Sequence, residues 1–473
     1  MSVFFLKFKI KLRQLYNIDG LYFFGIELDR SSLFEKQQLI YNNASRKAAS
    51  HKSSHLVWDL YYKELWFYAL KNSKKKVWLV SLFLKYSYTV YLFFEFFTSL
   101  ITVKKNIYDL RVTEPSLKTP IVFYAYSDAN AELLWYFNIL SQNFSIGKVE
   151  VAQSTVVEWR YVLSFIPALL RQKWLFPHLP LWQIIRSTSL RHAAAKMFMR
   201  GAKLLMEECA DRSQTAILSG ISQGNISQAI IFVRSPFMIS LNYLGAKVIV
   251  PNYLVKMLME RSNKEVICLN IPFIHYRDYI YRPESNLRKP VLGYAPVMYS
   301  LTCNKQDRLQ TDRLFSSLGL SGEYEIFVRR HPQERNMSYG YDECYKNNTI
   351  IYSSDVLRYE SIALEDFFKK IDIWITSFST TIISSLQNGC PVIVILCIKS
   401  DMLLELAKIS HGLLRITDGH EEFHSALNDI KKLIQNPADL VRRTRKIRLD
   451  LNIITGTDHA KSLLPALSKA ILS

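Results

Sequence analysis

Apolar and polar positions alternate in different ways along this chain, and the differences divide it into three parts. From Thr119 onward short apolar runs alternate with stretches of helical spacing, the signature of strand–helix units. Ile121–Tyr126 is a strand candidate followed by the polar Ser127–Asn130, and Leu133, Leu134, Phe137 and Leu140 then recur at helical spacing. Thr215–Leu218, Lys247–Pro251 and Glu265–Leu269 read as further buried strands, and Gln223–Leu244 reads as a helix capped by Gly245. Arg282–Pro290, polar with a proline at each end, reads as a linker. Beyond it the alternation sharpens. Val291–Ala295, Tyr324–Arg329, Thr349–Tyr352, Ile371–Thr376 and Pro391–Leu396 are strands, and Asp307–Leu318, Ala363–Lys370 and Thr381–Asn388 are helices, the last stopped by Gly389. Repeated alternation of this kind predicts parallel sheets covered by helices on both faces. The division is therefore 1–118, mainly helical; 119–283, a first Rossmann-like domain; and 290–473, a second.

One segment of the first part stands apart. Val77–Val103 is almost wholly apolar and aromatic, with Lys85 and Glu95 its only charges, and it lies between Lys74–Lys76 and Lys104–Lys105. Its length would admit a membrane span, which takes ~20 residues. Two internal charges oppose that, at about 2.5–3.5 kcal/mol each near a bilayer centre. The plainest reading is a pair of buried helices; a helix lying on a membrane surface comes second and a true span third. Met1–Leu15 has apolar residues broken by Lys7, Lys9 and Lys11, so no secretion signal is expected.

Charge changes the picture moderately. Sixty Lys and Arg against 41 Asp and Glu give a net charge of +19, which attracts phosphorylated ligands, anionic lipid or nucleic acid. The basic residues are spread out, the densest run being Arg442–Arg448, which reads as a solvated helical face; no nucleic acid partner is expected. The six cysteines have no CxxC spacing and no His cluster, so a zinc site is not expected, and scattered thiols fit a reducing, cytoplasmic setting.

Candidate chemistry sits in two loops at strand carboxyl ends, where open parallel sheets bind ligands. Ser377, Ser379, Thr380 and Thr381 lie between a strand and a helix, whose unpaired N–H groups favour phosphate; the same residues can equally be simple helix caps. Arg329, Arg330, His331 and Pro332 place two guanidinium groups and an imidazole at another strand end, an anion locus or else a solvated basic loop. The glycine fingerprint of a dehydrogenase and the GK[ST] of a P-loop are both missing.

The segments VLGYAP, FVRRHPQE, IDIWITSFSTTIISSL and GCPVIVI resemble the C-terminal half of bacterial surface-carbohydrate transferases of the GT-B fold, the enzymes of capsule and lipopolysaccharide assembly. Sialyltransferases and CDP-glycerol glycerophosphotransferases carry similar His-Pro and Ser/Thr motifs. The resemblance implies two Rossmann-like domains facing a cleft and transfer of a sugar or polyol phosphate from a nucleotide-activated donor to a surface-glycan or lipid-linked acceptor. It implies that His331 contacts the donor phosphate or ribose, that Ser379 and Thr380 bind phosphate, and that no metal is required. A catalytic base is expected from the first Rossmann-like domain. Asp128 is the leading candidate, though it can also cap a helix; Glu132 and Asp278 follow. Two alternatives stay open: an epimerase or hydrolase of the same architecture, and a membrane- or nucleic-acid-binding protein without activity. The expected location is the cytoplasm, with a peripheral position on the inner face of the membrane as an extension.

Overall fold

The computed structural model describes residues 16, 30–73, 78–113, 121–124, 141, 146–154, 159–198, 203–207, 212–223, 229–233, 241–269, 289–295, 314–315, 318, 321–328, 367–376, 379, 381–395, 401–417, 420–451, 465 and 468–469. The linker, Thr349–Tyr352, the helix after Asn130 and most of Asp307–Leu318 lie outside these residues. The fold is α/β, with two Rossmann-like sheets and a helical N-terminal region. Its contacts divide it into two units. Unit 1 is Met1–Val250, Val255–Leu269 and Ala460–Ser473; unit 2 is Pro251–Leu254 and Asn270–His459.

Unit 1 is built on strands β1 (Tyr108–Thr113), β2 (Ile121–Tyr124), β3 (Ile146–Gln153), β4 (Lys203–Glu207), β5 (Ala229–Phe232), β6 (Lys247–Val250) and β7 (Val266–Cys268). Among the described residues their order is β1-β3-β2-β4-β5-β6-β7. All pairs are parallel except β1 with β3. The N-terminal region thus supplies an antiparallel edge strand besides its helices. In β1, Leu110 is buried between exposed Asp109 and Arg111, the alternation of a half-covered strand.

Two sequence expectations fail here. Thr215–Leu218 is not a strand but part of helix α6 (Arg212–Ile221), and Gln223–Leu244 is not one helix, because it contains β5. The cause is the same in both. A short run carries no period of its own: Thr215–Leu218 is the middle of α6, whose helical spacing shows only over all ten residues, and Ala229–Phe232 is a four-residue apolar run that periodicity cannot assign.

The helical region comprises α1 (Arg30–Ser50), α2 (Val57–Lys71) and α3 (Trp78–Ile101); beyond β3 come α4 (Trp159–Leu175) and α5 (Leu181–Phe198), and α7 (Tyr253–Met259) lies between β6 and β7 in the chain. Helix α5 is the hub, touching α3, α4, α6 and β1. The edge strand is fastened to it, the Tyr108 N–H donating to Ser189 Oγ at 3.1 Å while the Arg186 guanidinium lies 4.8 Å from the Tyr108 ring. From α2 the buried Asp59 carboxylate pairs with Arg212 Nε of α6 at 2.8 Å and accepts from Ser187 Oγ of α5 at 3.3 Å. Burial raises the Asp59 pKa; Arg212 works against that. Buried Lys63 donates to the Tyr16 carbonyl at 2.7 Å and sits 4.7 Å from the Tyr88 ring; burial lowers its pKa to about 7.

The pair of buried helices expected over Val77–Val103 is a single helix, α3, and it is not core. Only Leu84, Tyr88, Glu95 and Ser99 are buried, at i, i+4, i+11 and i+15 on one narrow stripe. Glu95 is there for a reason that hydropathy does not show. Its carboxylate accepts from the first N–H groups of α5, Leu181 at 2.9 Å and Trp182 at 3.2 Å, and from Ser99 Oγ. A carboxylate at a helix N-terminus satisfies orphan donors and meets the positive end of the dipole. Among the described residues no helix is long and apolar enough to cross a membrane.

Unit 2 carries β8 (Val291–Ala295), β9 (Glu325–Val328), β10 (Ile373–Thr376), β11 (Val392–Ile395) and β12 (Leu414–Thr417) in the order β12-β11-β10-β8-β9, every pair parallel. Helix α8 (Thr381–Gln387) follows β10, and α9 (Asp401–Ile409), α10 (His420–Ile434) and α11 (Pro437–Asp450) follow β11 and β12. The Arg442–Arg448 run is more than a solvated face. Arg448 is buried and donates from Nε to the Gln387 carbonyl at 2.9 Å, tying α11 to the end of α8.

Two outcomes test this framework. The two charges inside α3 should behave oppositely on replacement by leucine. Lys85 is exposed, so Lys85→Leu changes stability by no more than about 0.5 kcal/mol. Glu95→Leu leaves the α5 N-terminus unpaired and costs about 2–4 kcal/mol in denaturant unfolding; equal midpoints for the two variants would refute the capping role. The second outcome concerns His55, fully buried against Gln172 (3.2 Å) and Thr188 (3.4 Å). Burial, then Arg191, lowers its pKa from 6.5 to about 3. Its imidazole is neutral in the fold, and the unfolded chain binds the proton first, so stability falls as pH drops from 6.5 towards 3. Each factor of ten in proton affinity is worth about 1.4 kcal/mol. Melting curves at pH 7 and pH 5 should therefore differ less for His55→Gln than for the parent, a comparison in which the opposite contribution of Asp59 cancels.

Candidate functional site

The strand order of unit 2 fixes where a ligand can sit. Among the described residues its first strand, β8, has its successor β9 on one side and the next strand, β10, on the other. Crossovers leaving in opposite directions open a crevice at the carboxyl ends of β8 and β10, the place where open α/β sheets bind ligands. Strands β9 and β10 are two places apart, so their carboxyl ends stand about 10 Å from one another. β8 can lie so tightly beside its cover because Gly293 has no side chain. A Cβ there would come within 2.5 Å of Ile371 Cδ1 and 2.9 Å of Phe367 Cε1.

Every residue of β10 is buried, and the chain leaves it at Thr376 towards α8. Two of the expected phosphate-binding hydroxyls are described at this point, and they form one unit. Ser379 Oγ and Thr381 Oγ1 are 2.8 Å apart. The Thr381 N–H donates to Ser379 Oγ at 3.3 Å, and the Ile382 N–H to the Ser379 carbonyl at 3.2 Å. The Trp374 indole N–H, from within β10, donates to Thr381 Oγ1 at 3.2 Å. Ser379 therefore caps α8. Of the two hydroxyl protons, one joins the pair, and the other has no acceptor among the described residues.

Trp374 is the member of this arrangement that sequence reasoning missed. It is fully buried, 5.4 Å from Phe367 and 5.5 Å from Phe368 ring to ring, so its indole is rigidly held when it orients Thr381. A tryptophan at an apolar strand position reads only as core, and no spacing rule links it to a hydroxyl seven residues on. At its other end α8 is equally fixed. Gly389, at φ +82°, turns the chain, the Cys390 N–H donates to the Ser385 carbonyl at 3.0 Å, and Ser385 Oγ donates to the Cys390 carbonyl at 3.0 Å. The Cys390 thiol itself is inert, its pKa pushed up to about 12 by burial. Asp372, by contrast, accepts from the Val291 N–H at 2.7 Å at the amino end of the sheet, away from the crevice, and serves strand pairing.

The remaining candidates, Arg329, Arg330, His331, Pro332, Ser377, Thr380 and Asp128, lie outside the described residues, as do Glu132 and Asp278. Their places in the chain are still informative. Arg329–Pro332 follow directly on Val328, the last residue of β9, and Asp128 comes four residues after the end of β2. In unit 1, β2 is the strand at which the winding reverses, between β3 and β4. A small cavity of unit 1, walled by Tyr41, Trp58, Thr215 and Tyr243, lies beside the segment that leads into β6, at the amino edge of the sheet and not at that reversal.

No protein-family model matches the chain. No curated protein matches it. Among solved structures it is similar to a glycosyltransferase from Rickettsia africae, at 11% identity over 75% of this chain and 98% of that one, with a TM-score of 0.41. It is similar to the spinosyn forosaminyltransferase SpnP at 12% identity over 75% and 100%, with a TM-score of 0.41. A Thermobaculum terrenum O-GlcNAc transferase mutant is matched at 11% identity over 75% and 69%, with a TM-score of 0.35. All three are glycosyltransferases by name. With TM-scores below 0.5, the strand order and not these neighbours is the ground for the fold.

Proposed function

We propose that this chain is a GT-B-type glycosyltransferase that moves a sugar, or a polyol phosphate, from a nucleotide-activated donor to a surface-glycan or lipid-linked acceptor. The observation that carries the reading is the Ser379–Thr381 hydroxyl pair, held by Trp374 at the winding reversal of the unit 2 sheet. A ligand phosphate there would accept the free hydroxyl proton. The leaving nucleotide gains negative charge as the bond to the sugar breaks, and a donor fixed in advance acts more strongly on that state than on the bound donor. Arg329, Arg330 and His331 follow the neighbouring strand end but one, and the reading gives them the same leaving charge. The reading gives Pro332 the turn after them and includes Ser377 and Thr380 among the donors to the phosphate. Asp128, after the reversal strand of unit 1, takes the acceptor hydroxyl proton in this scheme. The reading calls for no metal cofactor. It places the enzyme in the cytoplasm, against the inner face of the membrane where lipid-linked acceptors are presented.

The donor is tested first by thermal shift with CMP, CDP, UDP and GDP. A nucleotide at 100 times its dissociation constant stabilises its site by ~2.7 kcal/mol. One of the four should raise the melting temperature, and His331→Ala should abolish that rise while leaving the unliganded melt unchanged; four flat responses would remove the donor site from this edge. The hydroxyl pair is tested by Ser379→Ala. Loss of a cap alone costs about 0.5–2 kcal/mol. Loss of a preorganised donor to the transition state costs ~10²–10³ in rate. Turnover per folded molecule should fall by the larger factor. An unchanged rate beside a lowered melting temperature would leave Ser379 a cap and nothing else, and sugar release without an acceptor would turn the assignment from transferase to hydrolase.

A further inference from the structure

From the surface of α3 we infer that this helix is a docking element for an anionic lipid bilayer, lying in the plane of the headgroups. The inference stands on unit 1 alone and is independent of the transfer reaction. Helix α3 has 24 residues and so runs about 36 Å. The buried stripe of Leu84, Tyr88, Glu95 and Ser99 fixes its rotation. Glu95 holds the α5 N-terminus, and the Tyr88 hydroxyl donates to the His178 carbonyl at 2.8 Å. With the rotation fixed, the opposite arc is set outward. It carries Leu79, Phe83, Tyr86, Val90, Phe93, Phe94, Phe97, Leu100 and Ile101, with Leu79 73%, Tyr86 69% and Ile101 84% exposed.

An apolar arc of this size on a soluble surface marks an interaction site, and its charges say with what. The helix has one acid, Glu95, and that is buried. Lys85 is exposed at the edge of the arc, and Lys104 and Lys105 are exposed just beyond the end of the helix. Apolar and aromatic residues rimmed by cations without a carboxylate complement an anionic headgroup layer. A second copy fits less well. A two-fold contact sets the same face against itself and offers the lysines of each copy no exposed acid on the facing helix to receive them. The aromatic content and Trp78, 60% exposed at the amino end, suit the depth of the interface.

Flotation of the full chain with vesicles tests this, using phosphatidylcholine alone and an equal mixture with phosphatidylglycerol. The parent should float with the mixed vesicles and only weakly with phosphatidylcholine. The triple variant Phe83→Ser, Phe93→Ser, Phe97→Ser changes exposed positions only, so it should keep the parental melting temperature and lose at least tenfold in partitioning. Lys104→Glu, Lys105→Glu should remove the preference for the anionic mixture, at about fivefold for each lysine lost, and this second variant decides the matter should the triple one fail to fold. Failure of the parent to float, undiminished flotation of the folded triple variant, or lysine variants that keep the anionic preference would each overturn the inference. So would a parental dimer that the triple variant turns into a monomer, which would assign the face to a second copy.

Discussion

In each sheet one strand has its successor on one side and the strand after that on the other. That reversal is the constraint from which the rest follows. Parallel strands put all their carboxyl ends on one edge, and the crossovers must cover both faces. Among the described strands, the reversal at β2 and again at β8 then leaves a gap on that edge in each unit. In unit 2 the gap is bounded by the loop that carries Ser379 and Thr381. The hydroxyls sit there because that loop joins a strand of the reversal to the helix that follows it.

The charges buried in the described residues follow a second rule, that ionised groups leave water only where other groups replace it. Glu95 meets the amino end of α5, Asp59 meets Arg212 and Ser187, Lys63 meets a carbonyl and an aromatic face, and Arg448 meets the carboxyl end of α8. Each contact joins two elements distant in sequence. Pairs of this kind add little net stability compared with apolar substitutes, but breaking one partner is costly. They therefore fix how elements are aligned more than how strongly they adhere. For α3 the alignment has a direct consequence, since the Glu95 contact decides which of its faces turns outward.

The hydroxyl pair shows why capping and binding are not opposed descriptions. Ser379 caps α8 through its oxygen, which uses a lone pair, and capping leaves the hydroxyl protons of the pair untouched. Trp374 completes the arrangement by occupying an acceptor position on Thr381. The local chemistry thus orients a donor without sacrificing the helix start.

The sequence by itself determined a good deal. Strong local patterns, Val291–Ala295, Ile371–Thr376, Thr381–Asn388 with Gly389, and Pro391–Leu396, correspond to β8, β10, α8 and β11 within a residue or two, because strand–loop–helix units of this length carry their signals within a short window. It also singled out Ser379 and Thr381, whose residue types are those of a helix start. Elements buried on every side were not legible. Thr215–Leu218 and Ala229–Phe232 differ in structure but not in pattern, since a run of four residues is too short to show which period it follows. Three things were decided by tertiary structure alone: the strand order that creates the reversal, the indole of Trp374 beneath Thr381, and the role of Glu95. All three depend on which distant groups meet. A charge in an apolar run looks the same in sequence whether it opposes burial or caps a helix 86 residues away, and only the fold brings that helix to it.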